Sequence, residues 1–162
     1  MTGAGVDDVP VGATATVDVA VPQVVTEAVR TVTGCDGATF VLRDAGQCFY
    51  ADEDAIGPLW KGKRFPLEDC ISGWAMLNAR SVTIEDIYAD PRIPAEAYRP
   101  TFVKSLAMVP IRTSSPIGAI GNYWATHRKV TDEELRLLQA LADSTSVAME
   151  NVALISSLEA RV

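Results

Sequence analysis

The chain is poor in the residues on which most metal and hydrolytic chemistry depends. One histidine, His127, stands in 162 residues, between a strand-like and a helix-like segment and beside Arg128 and Lys129. No cysteine or carboxylate cluster near it has metal spacing, so no metal site is expected. It also lacks the helix face and acidic neighbour of a phospho-accepting histidine. No Gly-x-Ser-x-Gly elbow is present, which removes the starting point of a Ser-His-Asp hydrolase. The three cysteines, Cys35, Cys48 and Cys70, are odd in number and lack CxxC spacing. That points away from a disulfide framework or a zinc site, and towards the reduced cytoplasm.

Positive charge is scarce too. A formal net charge of -7 offers no basic field to displace counterions, which argues against nucleic acid and anionic membrane as partners. The densest basic cluster, Lys61, Lys63 and Arg64, reads as a solvated strand edge. The apolar run Leu106 to Ile111 is bounded by Lys104 and Arg112 and falls far short of the roughly 20 residues of a membrane span. Asp7, Asp8 and Asp18, all ahead of the first basic residue Arg30, do not fit a signal peptide. Gly57 to Lys63 has phosphate-loop spacing, but Arg64 stands where a hydroxyl is needed and Phe65-Pro66 continues extended. Asp52-Glu53-Asp54 lacks the alternating ligands of a calcium loop and reads as a solvated turn.

What is present is patterned for one α+β domain. Residues 1–20 have no helical period and read as a flexible arm, with the domain proper over 21–160. Val24, Val25, Ala28, Val29 and Val32 fall at helical spacing before a stop at Gly34. Ala38 to Leu42 and Cys48 to Ala51 read as a hairpin, and Lys63 to Leu67 as a third extended piece. Asp69 can cap a helix over Cys70 to Ala79, and Ser81 to Ile84 is extended. Pro91, Pro94 and Pro100 make residues 85–101 a loop with at most single helical turns. Two strong strands follow, Ser105 to Arg112 and Ile117 to Ala125, and then a long helix over 131–160. Thr131 and Glu134 have the spacing of a capping box at its start. This order implies an antiparallel sheet flanked by its terminal helices.

The last helix is longer than the sheet it must cover. Its overhang carries Thr145, Ala148, Val152 and Ile155 at spacings of three and four, the seam of a short coiled coil, so a parallel homodimer through these residues is expected.

Several motifs, in order, resemble the GAF domain. They are Ser72-Gly73-Trp74-Ala75, Ile84-Glu85-Asp86-Ile87, Asp90-Pro91-Arg92-Ile93-Pro94, Tyr98 to Ile111, Pro116 to Ala125, and Thr131 to Leu135 with Leu138, Leu141, Ala142 and Glu150-Asn151. The likeness is greatest to GAF domains of bacterial multi-sensor histidine kinases and phosphorelay proteins. It implies first and last helices on one face of a central antiparallel sheet and a small-molecule pocket under helix and loop segments on the other. It also implies a sensory, cytoplasmic, regulatory module with no catalytic residues and no cofactor of its own, serving a kinase or other output domain in cis or in trans.

On pocket-side segments of that fold, Trp74, Tyr98, Phe102 and Trp124 are expected to line one cavity. Asp86 or Arg99 would fix a polar ligand group, and Ser105 belongs to the same set. Two alternatives attach to the resemblance. One is a thiol redox enzyme like free methionine sulfoxide reductase, for which Cys70 is out of register and no cysteine follows it as partner. The other is a tetrapyrrole or haem sensor, for which the segment Glu96 to Lys104 has neither cysteine nor histidine. No thiol is expected to ionise easily, since Asp69 beside Cys70 opposes a thiolate.

Overall fold

The computed structural model describes residues 11–159, with side chains described from Val21 onward except Ser156. Helix α1 (Val11–Thr33) contains Pro22 and begins earlier than the periodicity from Pro22 suggests. The second half of the expected arm is therefore helical, while its residues 1–10 lie outside the described ones. Gly34 ends the helix at φ +68°, a conformation glycine adopts without steric cost.

Strands β1 (Gly37–Asp44) and β2 (Gln47–Ala55) form an antiparallel hairpin. Its two-residue turn, Ala45-Gly46, has positive φ at both positions, the geometry that follows the natural strand twist. Strand β2 runs on through Asp52-Glu53-Asp54, so the acidic run is strand and not a solvated turn. The edge strand β3 (Arg64–Pro66) pairs with β2. Helix α2 (Ile71–Asn78) follows a single turn at Leu67–Asp69; Cys70, not Asp69, holds its N-cap position, with no side-chain cap bond. After β4 (Val82–Ile84), the proline-rich stretch holds one turn at Ile87–Ala89 and the short α3 (Ala95–Tyr98). Strands β5 (Ser105–Ile111) and β6 (Gly118–Trp124) complete a six-stranded antiparallel sheet in the order β3-β2-β1-β6-β5-β4.

Helix α4 (Asp132–Glu159) opens on the expected capping box. Glu134 N–H donates to Thr131 Oγ1 at 3.1 Å, and Thr131 N–H donates back to Glu134 Oε1 at 3.0 Å.

The sheet divides the core in two, as the alternation of strand side chains requires. On one face α1 and α4 cover Ala38, Phe40, Ala107, Val109, Ile111 and Ile120 with Val29, Leu138 and Ala142. On the other, α2 and the connecting turns cover Val41, Cys48, Tyr50, Leu106, Met108 and Tyr123 with Ile71, Ala75, Met76, Ile87 and Tyr98. The fold is thus α+β, with the terminal helices on one face and the short segments on the other.

Candidate functional site

The loop-side face is organised around Trp60. Glu53, on β2, turns its carboxylate into the following loop and accepts the backbone N–H groups of Leu59, Trp60 and Lys61 at 3.0, 2.9 and 2.8 Å. These bonds fix where the indole enters the core, and its Nε1 donates to the Ala97 carbonyl of α3 at 3.0 Å. The ring then packs against Tyr98 (4.7 Å between centroids), Tyr50 and Tyr123 (5.5 Å each), which are edge-on or tilted contacts favoured by ring quadrupoles.

Tyr123 folds back over Gly121 to share a 3.0 Å hydrogen bond with Thr39. A Cβ on Gly121 would lie 2.3 Å from the Tyr123 hydroxyl, so that position must be glycine for the bond to form. Gly73 has the same role for α2: a Cβ there would meet the Leu67 carbonyl oxygen at 1.8 Å. Burial pushes the phenols of Tyr50, Tyr98 and Tyr123 above the ordinary tyrosine value, so all three stay neutral and act as hydrogen-bonding surface rather than charge.

Next to these rings lies a pair of thiols. Cys48 Sγ on β2 and Cys70 Sγ at the head of α2 are 2.9 Å apart, with the Cys70 thiol donating when both are protonated. Ser72 Oγ donates to Cys70 Sγ at 3.4 Å and shares a 3.0 Å bond with the Tyr50 hydroxyl. Ionising Cys70 reverses the thiol bond, so that Cys48 donates to it. That bond, with the Ser72 hydroxyl and the Gly73 backbone, holds the Cys70 pKa down at about 7 against the opposition of burial and Asp69. Cys48 is correspondingly pushed up, because its proton serves the Cys70 thiolate and because it is buried. Cys35, on the helix side, is also pushed up by burial. The expectation that Cys70 resists ionisation is therefore corrected: Asp69 opposes the thiolate, but less than the three donors favour it. Cys70 also has a cysteine partner, which comes before it in the chain.

The residues expected to share a cavity are distributed over both faces. Trp74, Tyr98 and Phe102 belong to the loop-side core, Tyr98 buried and the other two partly so. Arg92, clamped on Asp90 through two nitrogens at 3.0 and 2.6 Å, lies over the Trp74 ring at 4.5 Å. Trp124 is on the opposite face, in the helix-side core, with Arg128 over its ring at 4.8 Å. Ser105 pairs with Trp124 across β5 and β6 and spends its hydroxyl on the Thr126 carbonyl at 2.7 Å. Consecutive strand residues face opposite ways, so of Tyr123 and Trp124 one alone can face the loops, and it is Tyr123.

Arg99 is exposed and paired with Glu96 at 2.8 Å. Asp86 caps the turn at Ile87–Ala89 through the Tyr88 N–H, and its Oδ1 lies 3.6 Å from Nε2 of the exposed His127. Asp86 and His127 border an open groove of about 580 Å³ with Thr83, Glu85 and Asp90. Sequence reasoning did not select Trp60, Tyr50 or Tyr123, and it missed the Cys48–Cys70 pair. Strand alternation could have found Tyr50 and Tyr123, since each keeps the parity of an apolar loop-side residue on its strand.

The outer surface of α4 carries a second pattern. Thr145 is buried within the protomer and donates to the Leu141 carbonyl at 2.7 Å; Ala148 and Val152 are half-buried, and Ile155 is exposed. The inner stripe is Leu138, Ala142, Thr145, Met149 and Val152. Leu137, Ala140, Ser144, Val147, Asn151, Leu154 and Leu158 are all exposed, and they recur at strict alternating spacings of three and four. On a helix these two stripes lie nearly opposite each other.

The sequence pattern of the family described as GAF domain matches residues 14–150. Among solved structures, the fold is similar to the GAF-B domain of DevS from Mycobacterium smegmatis (19% identity, 88% of this chain, 98% of that one, TM-score 0.69). It is similar to a free methionine-R-sulfoxide reductase from Neisseria meningitidis (19% identity, 88% and 86% covered, TM-score 0.74). It is also similar to a domain assigned to a two-component sensor histidine kinase from Sinorhizobium meliloti (15% identity, 86% and 95% covered, TM-score 0.68). At these identities the likeness concerns the fold. No curated protein matches the chain.

Proposed function

The chain belongs to the GAF domain family, and on that premise we propose that it is a sensory and dimerising module of a bacterial two-component signalling protein, without catalysis of its own. The supporting observation is the exposed seven-residue stripe on α4, from Leu137 to Leu158. A helix that served only to cover the sheet would need one apolar stripe, and the inner one already does so. The second stripe has coiled-coil spacing, and Asn151 stands within it. A buried polar residue of this kind costs stability but fixes register and strand number. The stripe runs beyond the last buried residues of α4 and would deliver a change in helix register to whatever follows.

Thr145, Ala148, Val152 and Ile155, first read as the seam, are replaced in this reading by the outer set. Thr145 and Val152 lie on the inner stripe. The ligand-facing side is the aromatic face, where Tyr50, Tyr98 and Tyr123 pack on Trp60 and where Trp74 and Phe102 join the same core. A small molecule entering there would displace side-chain contacts and shift α2 or α3.

Sedimentation velocity tests the reading. The wild-type chain is expected as a dimer at tens of micromolar, and Val147→Asp with Leu154→Asp as a folded monomer. A monomeric wild-type chain at high micromolar concentration would remove the dimeric module. The similarity to a methionine sulfoxide reductase keeps a thiol enzyme as a second reading, favoured by the 2.9 Å thiol pair. Turnover of free methionine sulfoxide with a dithiol reductant is its test.

A further inference from the structure

We propose that Cys48 and Cys70 form a reversible disulfide, making the loop-side core a site of oxidative modification by hydroperoxides. This stands apart from the sensory reading, since neither depends on the other. The two residues are 22 positions apart in sequence, yet their sulfurs are 2.9 Å apart, and the fold alone brings them together. Closing to a bond length of about 2.05 Å requires a movement of roughly 0.9 Å, within the reach of side-chain rotation. Both sit on rigid elements, β2 and the head of α2. Both residues are buried, Cys48 completely and Cys70 with 6% of the residue's surface open, so Cys70 is the less enclosed of the two. The Ser72 hydroxyl and the Cys48 thiol face the sulfur that must carry the negative charge.

The chemistry balances in two steps. The Cys70 thiolate attacks the peroxide oxygen, the O–O bond breaks, and a sulfenic acid and hydroxide form. Cys48 sulfur then attacks the sulfenic sulfur; the S–O bond breaks, the Cys48 proton leaves with the hydroxyl as water, and the S–S bond forms. Two thiols are oxidised; with hydrogen peroxide the released hydroxide takes up the proton lost from Cys70 and the products are two waters, and with an organic hydroperoxide they are its alcohol and one water. The product fastens β2 to the head of α2 and takes away the thiolate to which Ser72 donates. The change therefore passes through Ser72 to Tyr50 and the aromatic cluster.

Cys35 provides the internal control. Its Sγ donates to the Gly37 carbonyl at 3.2 Å on the other face of the sheet, and it has no hydrogen bond to another thiol among the described residues. The test is to treat the full chain with hydrogen peroxide, alkylate the remaining thiols, and map the digest by mass spectrometry. The expected product is a linked Cys48–Cys70 peptide pair lacking two hydrogens, restored by dithiothreitol, with Cys35 alkylated. In Cys48→Ala, and in the more conservative Cys48→Ser, dimedone should trap a sulfenic acid on Cys70. Both thiols remaining free after equilibration with excess peroxide and glutathione disulfide would overturn the proposal. So would linkage of either residue to Cys35 or between chains in preference to the internal pair.

Discussion

The two faces of the sheet are filled in different ways. Towards α1 and α4 the core is mainly aliphatic, with Phe40 and Trp124 as its buried aromatics: Ala38, Ala107, Val109, Ile120, Leu138 and Ala142 pack between long regular elements. Towards the loops it holds Tyr50, Trp60, Tyr98 and Tyr123, together with Ser72 and a thiol pair. Those side chains are placed by individual hydrogen bonds, such as Glu53 to the Trp60 backbone and Trp60 Nε1 to Ala97. The helix face is a regular surface whose far side repeats at coiled-coil spacing and suits assembly. The loop face is irregular, carries polar groups inside an aromatic shell, and suits chemistry or recognition. A ligand arriving at one face and a partner on the other would communicate through the strands they share.

The largest expected effect tests how tightly the loop face is filled. Trp60→Ala should cost about 4 kcal/mol in urea unfolding, because a buried indole leaves a cavity its rigid neighbours cannot close. Leu138→Ala, on the helix face, should cost about 3 kcal/mol for the same reason at smaller volume. A Trp60→Ala cost below about 1 kcal/mol would mean that the loop face is loosely packed and less tightly filled than the helix face.

A smaller effect concerns pH. Cys70 is held at about 7 from an ordinary 9.0, so the folded chain releases that proton before the unfolded one, and stability rises as pH climbs from about 7 to 9. Cys48, Cys35 and the three buried tyrosines are shifted the other way. Above pH 9 the unfolded chain ionises first at these groups, and stability falls. A maximum near pH 9, with a rise on the order of 1 kcal/mol that Cys70→Ser abolishes, is the expected profile. The smallest effect belongs to the helix side: Thr131→Ala should cost about 1 kcal/mol by removing the capping box of α4, with no change in the profile between pH 7 and 9.

The difference between the faces also explains what the sequence disclosed. Thr131 and Glu134 announced the start of α4 because a capping box is local, and the turn residues Arg43 to Gly46 announced the hairpin for the same reason, though the structure narrows the turn to Ala45-Gly46. The helix-side core followed from periodicity. On the loop side, Trp74, Tyr98 and Phe102 were legible from the family motifs. Trp124 was misplaced because its neighbour Tyr123 takes the loop-facing parity. The Cys48–Cys70 pair was not legible, since it depends on how α2 docks on β2, a contact no local pattern encodes. Glu53 looked like part of a solvated turn, and its role is visible only once the following loop curls back onto it. Alternating spacings of three and four occur on both sides of α4, and Thr145 and Val152 of the expected seam fall on the side turned to the sheet; that could be seen only once the covered side was known.

Cysteine cross-linking distinguishes the two stripes of α4 as a dimer seam. Asn151→Cys places a thiol in the outer stripe, and Thr145→Cys places one in the inner, with the wild-type chain and its three buried cysteines as the blank. A parallel dimer through the outer stripe predicts rapid interchain cross-linking of Asn151→Cys under mild oxidation, and none of Thr145→Cys. Cross-linking of Thr145→Cys in preference to Asn151→Cys, or of neither in a chain that sediments as a dimer, would contradict it.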